Sequence, residues 1–103
     1  MAEFHPVCKL TEIAEGESRV FNVNQQMVGI FNLAGVIYAI DDQCPHAGAS
    51  LAHGIVEENT VTCRIHHWKF RFTDGKHLDE DNPDCNVNTF AVRIQDGIIQ
   101  VEL

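Results

Sequence analysis

The sequence is poor in positive charge: seven Lys and Arg stand against fifteen Asp and Glu, a formal net charge of −8 over 103 residues. That balance argues against nucleic acid and anionic membranes as partners, because both are bound through basic patches. Long hydrophobic runs are also missing. The most apolar stretch, residues 28–40, is interrupted by Asn32 and is too short to cross a bilayer. The opening Met1-Ala2-Glu3-Phe4-His5-Pro6 lacks the basic region and apolar core of a secretory leader, so a cytoplasmic protein is expected. No segment has a convincing helical period, and there are no internal repeats and no interdomain linker. A nucleotide-binding Gly-rich loop, a nucleophile–base pair and a 2-His-1-carboxylate arrangement are absent too, so no catalytic site of its own is expected. At this length the chain is expected to be a single domain, residues 1–103.

What is present is a series of short apolar segments punctuated by turns. Hydrophobic residues make up 45% of the chain, enough for a modest core. Strands are expected over residues 7–13, 19–23, 28–33 and 36–40, with Ala34-Gly35 as a compact hairpin turn. Trp68-Lys69-Phe70-Arg71-Phe72 alternates large apolar with basic residues, a pattern that buries one face and wets the other. Asp74-Gly75 is a turn, and residues 90–94, Asp96-Gly97 and residues 98–101 form a closing hairpin. Residues 77–88 have no clear period and are expected to be an exposed loop. The expected fold class is all-β: an antiparallel barrel or sandwich base with a smaller lobe at about residues 41–73.

The chemistry lies in two short stretches. Cys44-Pro45-His46 and, after sixteen intervening residues, Cys63-Arg64-Ile65-His66 each offer one thiolate and one imidazole. Two Cys plus two His complete an inner shell for a metal centre. The spacer holds Gly54-Ile55-Val56-Glu57, the polar Glu58-Asn59 and Thr60-Val61-Thr62, which predicts a strand, a turn and a return strand. Such a hairpin brings Cys63 back beside Gly54 and lays the two loops side by side. Structural zinc accepts Cys₂His₂ but usually pairs Cys with Cys and His with His. A two-iron cluster accommodates the mixed pairs, with the two Cys on one iron and the two His on the other. A zinc-stabilised interaction module is the alternative of a different class, and a colourless protein would separate it from a red-brown iron–sulfur one.

Cys-x-His, a spacer of this length and Cys-x-x-His together resemble the Rieske [2Fe–2S] signature. The likeness extends through Gly35-Val36-Ile37-Tyr38-Ala39, His66-His67-Trp68-Lys69-Phe70 and Thr73-Asp74-Gly75-Lys76, and so covers essentially the whole chain. It implies a Rieske fold with one [2Fe–2S] cluster at the lobe tip, Cys44 and Cys63 on one iron, and His46 and His66 on the other. Two ferric ions, two sulfides and two thiolates sum to no net charge, so accepting an electron is easier than in an all-Cys centre. The outer imidazole nitrogens can lose protons, more readily beside ferric iron, so the potential is expected to depend on pH at alkaline values.

The resemblance also separates subtypes. High-potential, membrane-anchored members carry a disulfide between the two loops, whereas the matching positions here are Ala49 and Ile65. Their cluster-directed hydroxyls fall at Trp68 and Phe70, which have none. Fewer hydrogen bonds to sulfur stabilise the reduced cluster less, so the expected potential is roughly −150 mV, near the low end of the Rieske range. The implied function is electron transfer as the ferredoxin-like component or small subunit of a multicomponent oxidoreductase. The Trp-Lys-Phe segment favours the small subunit of an NAD(P)H-dependent nitrite reductase, with the ferredoxin of an aromatic ring-hydroxylating dioxygenase as the alternative. The expected partner is an NAD(P)H-dependent reductase or large oxidoreductase subunit.

Other residues are expected to be duller. His67 neighbours a ligand without being one, and Trp68 is core rather than an electron path. Cys8 and Cys85 are free thiols, and His5, His53 and His77 are surface residues. The acidic run Asp79-Glu80-Asp81-Asn82-Pro83-Asp84 is a solvated loop unless it steers a basic partner.

Overall fold

The structure, a computed structural model, describes residues 3–42, 50–57, 59–63, 68–76, 78 and 87–103. Its strands in chain order are β1 (Phe4–Lys9), β2 (Ser18–Val23), β3 (Gln26–Leu33), β4 (Val36–Asp41) and β5 (Ile55–Glu57), followed by β6 (Thr60–Thr62), β7 (Lys69–Arg71), β8 (Thr89–Phe90), β9 (Val92–Gln95) and β10 (Ile98–Glu102). Three hairpins are closed by the two-residue turns Asn24-Gln25, Ala34-Gly35 and Asp96-Gly97, all with positive φ at both positions. That backbone geometry matches the twist of paired strands.

The strands form three antiparallel sheets, in the orders β1-β10-β9, β2-β3-β4-β8 and β5-β6-β7. The four-stranded sheet is the middle layer. On one face Val28, Ile30, Ile37 and Ala39 pack with Ile99 and Val101 of the first sheet. On the other, Phe31 and Ile40 pack with Leu51, Val61, Cys63, Phe70 and Phe72. Because β3 is covered on both faces, its sequence reads as a continuous apolar run rather than an alternation. Asn32 interrupts that run for a reason. Buried at 6% exposure, it donates from Nδ2 to the Ile13 carbonyl and accepts from the Gly35 N–H, tying the β3–β4 turn to the end of β1's extension.

The all-β expectation holds, with two adjustments. The first strand begins at Phe4 and ends at Lys9 instead of running from residue 7 to 13. There the Glu12 carboxylate accepts the Lys9 N–H at 2.8 Å and closes a 3-10 turn, Leu10–Glu12. The expected strand at 90–94 is two strands. The chain leaves the middle sheet after Phe90 and joins the first sheet at Val92, with the Ala91 carbonyl accepting from Glu102 N–H. Phe90 and Val92 pack against the same core on either side of this step. Among the described residues no helix is long and apolar enough to cross a membrane.

Candidate metal centre

The third sheet is inserted between β4 and β8; along the chain, segment 43–49 lies between β4 and β5, and segment 64–67 between β6 and β7. Asp42 clamps the base of the first. Its N–H donates to the Met27 carbonyl of β3, its carbonyl accepts from Leu51 N–H at 2.6 Å, and its Oδ1 accepts from Ala52 N–H at 2.8 Å. One residue, 3% exposed, therefore holds both ends of segment 43–49 together and fixes them to the middle sheet. Ser18 of β2 adds a tether by donating from Oγ to the Ala52 carbonyl at 2.6 Å.

The second segment is closed in the same manner by backbone alone. Cys63 N–H donates to the Trp68 carbonyl at 2.8 Å, so residues 64–67 leave and return at one point. Cys63 is wholly buried among Leu51, Ala52, Val61 and Phe70, and half-buried Trp68 packs over the same group. The two bases touch each other. A Cβ on Gly54 would lie 2.5 Å from the Thr62 carbonyl and 3.1 Å from the Leu51 carbonyl. Ile55 pairs with Thr62, the residue before Cys63. Only glycine lets the two stems approach this closely.

A further brace lies beyond β7. Asp74 is paired bidentately with Arg71 and also accepts from Lys76 N–H, which together hold its carboxyl down at about 2. Gly75, with φ at +72°, lies where a Cβ would be 2.0 Å from the Val87 carbonyl, and Val87 N–H donates back to the Gly75 carbonyl. Gly75 and Val87 thus meet backbone to backbone, with no room for a side chain at Gly75.

Of the four expected ligands, Cys63 stands at the mouth of its segment with its side chain shielded from water. Cys44, His46 and His66 lie outside the described residues, as do His67, His77, Cys85 and the acidic run Asp79 to Asp84. The rings of Trp68 and Phe70 lie with centroids 6.5 Å apart, and Phe70 is fully buried, as its alternating pattern predicts. Cys8 is a free thiol, pushed up mainly by burial and next by Glu12. His53 is exposed as expected, whereas His5 is half-buried in β1. Sequence reasoning missed two residues. Asp42 reads as one acidic residue of a pair leading into a loop, and Ser50 has no pattern around it at all. Yet the Ser50 Oγ is buried and has no hydrogen-bond partner among the described residues.

These features fit a metal group held between two loops: closed bases in mutual contact, a buried thiol at one of them and an unmatched hydroxyl at the other. The comparison with known families decides which group. Residues 3–91 match the model of the Rieske [2Fe–2S] domain. The chain belongs to the Rieske family. Its cofactor is accordingly a Rieske-type [2Fe–2S] cluster, a centre in which two His replace two Cys on one iron. The Rieske match stops at Ala91, but β10, beyond it, pairs with β1 and completes the base.

Relatives agree with that membership. The chain is 32% identical over 97 residues to the ferredoxin subunit of 3-phenylpropionate/cinnamic acid dioxygenase from Shigella flexneri serotype 5b, spanning 93% of this chain and 90% of that one. Among solved structures, the ferredoxin of carbazole 1,9a-dioxygenase from Nocardioides aromaticivorans IC177 superposes with a TM-score of 0.82 at 25% identity, over 95% of each chain. A protein from Mycobacterium tuberculosis assigned as an NADH-dependent nitrite reductase small subunit superposes at 0.88 with 24% identity, over 100% of this chain and 96% of that one, a likeness of fold.

Proposed function

We propose that this Rieske chain is an electron carrier in a multicomponent oxidoreductase, with Cys44 and Cys63 holding one iron of its cluster and His46 and His66 the other. The observation that carries this assignment is the contact between the two loop bases at Gly54, with Cys63 buried beside it. The first base leads into Cys44 and His46, and the second, at Cys63, leads into His66. When bound, the cluster supplies one-electron oxidation and reduction. The chain's own residues do the rest. Leu51, Val61, Phe70 and Trp68 keep water from the Cys63 side, and Asp42 and Gly54 fix the loop bases. The whole chain, residues 1–103, acts as one domain, with residues 41–73 as its cluster lobe, and works in the cytoplasm.

Electrons would come from an NAD(P)H-dependent reductase and pass singly to a terminal component. Kinship to the dioxygenase ferredoxin subunit supports an oxygenase as that component. The segment His66-His67-Trp68-Lys69-Phe70 with Thr73-Asp74-Gly75 supports the nitrite reductase small-subunit reading, and the fold likeness is compatible with it. Reconstitution separates the two. The protein, reduced anaerobically, is mixed with a Rieske-type terminal oxygenase or with a nitrite reductase large subunit, and its visible bleach is followed by stopped flow. Rapid single-electron reoxidation by either component supports the carrier function and names the system. A protein that neither accepts nor returns electrons at a cluster of confirmed content overturns it.

A further inference from the structure

Ser50 Oγ is the one buried side-chain polar atom without a hydrogen-bond partner among the described residues. Native proteins rarely leave such an atom unmatched, and an exception calls for an acceptor of some other kind. Ser50 immediately precedes the 3-10 turn Leu51–His53, the position at which a serine oxygen ordinarily accepts from the turn's own N–H groups. It makes no such bond. The hydroxyl is therefore not spent on local structure.

The oxygens that adjoin Ser50 along the chain each already carry a hydrogen bond. The Asp42 carbonyl and Oδ1 take Leu51 and Ala52, the Ser50 carbonyl takes His53, the Leu51 carbonyl takes Gly54, and the Ala52 carbonyl takes Ser18. Toward the core, Leu51 and Ala52 pack with Phe31, Ile40, Cys63 and Phe70, whose side chains carry no oxygen. In sequence, Ser50 directly follows segment 43–49, which carries Cys44 and His46.

We infer that the Ser50 hydroxyl donates a hydrogen bond to a sulfur of the cluster, either a bridging sulfide or the Cys44 thiolate, and thereby raises the reduction potential. The inference rests on the ligand assignment of the preceding subsection. Reduction adds negative charge that the sulfurs share, and a hydrogen bond to a more negative acceptor is stronger. A donor at this place thus stabilises the reduced state more than the oxidised one. Trp68 and Phe70, unlike Ser50, have no hydroxyl to offer. A serine hydroxyl does not titrate in the working range, and its contribution is the same at every pH.

The test compares wild type with Ser50→Ala, Ser50→Val and Ser50→Thr, each assayed first for iron and sulfide. Reduced samples in H₂O and D₂O are examined by proton ENDOR, and potentials are measured by protein-film voltammetry. Ser50→Ala is expected to lose one exchangeable proton coupling and to become about tenfold harder to reduce, a fall of ~59 mV for one electron. Ser50→Thr retains both properties. Should Ser50→Ala hold no cluster, Ser50→Val against Ser50→Thr decides, since the two share a shape and differ in the hydroxyl. Deletion variants with wild-type coupling and potential overturn the inference. A wild-type protein without a two-iron cluster would instead overturn the ligand assignment, and iron analysis tells the two failures apart.

Discussion

In the base, β2, β3 and β4 run six, eight and six residues and are joined by two-residue turns. In the cluster lobe, β5, β6 and β7 have three residues each. The base buries Val28, Ile30, Ile99 and Val101 completely between two sheets, and its polar knot, Asn32, serves the core itself. The lobe has one shared hydrophobic cluster, and its polar contacts at Asp42 and Ser18 serve the loop ends. Strands that short are marginal without outside support. The comparison teaches that burial and turn geometry stabilise the base, whereas the lobe depends on clamps, on glycine contacts and on the metal group, whose binding energy is also folding energy.

The sharpest way to separate the two regions is to damage the base alone. Ile99→Ala removes a fully buried side chain far along the chain from both ligand segments. It is expected to cost ~2–5 kcal/mol in denaturant unfolding. The protein that stays folded should keep the wild-type visible spectrum, and an altered spectrum would mean that base and lobe are not separate in this sense. Gly54→Ala does the reverse. Its Cβ collides with the Thr62 carbonyl, so a global loss of ~1–3 kcal/mol should accompany a much larger drop in iron bound per chain. Full iron content in that variant would sink the account of the touching loop bases.

Asp42→Ala probes the clamp. It strips the acceptor from the buried Ala52 N–H, and a loss of ~1–3 kcal/mol is expected. Cluster loss to a chelator should quicken, while urea unfolding of the apo base changes less. The smallest effect belongs to Asp74→Asn, read by stability against pH. Asp74 titrates at about 2 in the fold against an ordinary 3.8, so its favourable contribution is present above 3.8 and fades as pH falls through 2. The variant should be slightly less stable at neutral pH and lose less between pH 4 and pH 2. Because the Arg71–Asp74 pair is exposed, a large neutral-pH deficit would show that the hairpin brace matters more than surface ion pairs normally do.

Much of the base was legible because its signals are local. Ala34-Gly35 and Asp96-Gly97 mark turns by residue type, and the run at 28–31 marks a strand covered on both faces. Ala91 was not legible. The change of sheet between Phe90 and Val92 leaves both residues on the same core, so the apolar pattern continues through it. The pairing of β1 with β10 joins the two ends of the chain and has no local trace. In the lobe, the spacing of Cys44, His46, Cys63 and His66 pointed to the metal chemistry, and the return of Cys63 beside Gly54 was visible in the spacer's hairpin pattern. Asp42 and Ser50 were not, because a clamp and an unmatched hydroxyl are defined by partners across space.

The central claim is that two mixed Cys–His loops hold a single two-iron centre. It is tested most directly by EPR of the dithionite-reduced protein, with iron and sulfide assayed on the same sample. The account predicts a rhombic signal with average g near ~1.9 and about two irons and two sulfides per chain, as expected for two His and two Cys on a [2Fe–2S] centre. An EPR-silent sample carrying zinc would contradict it and leave a structural metal module.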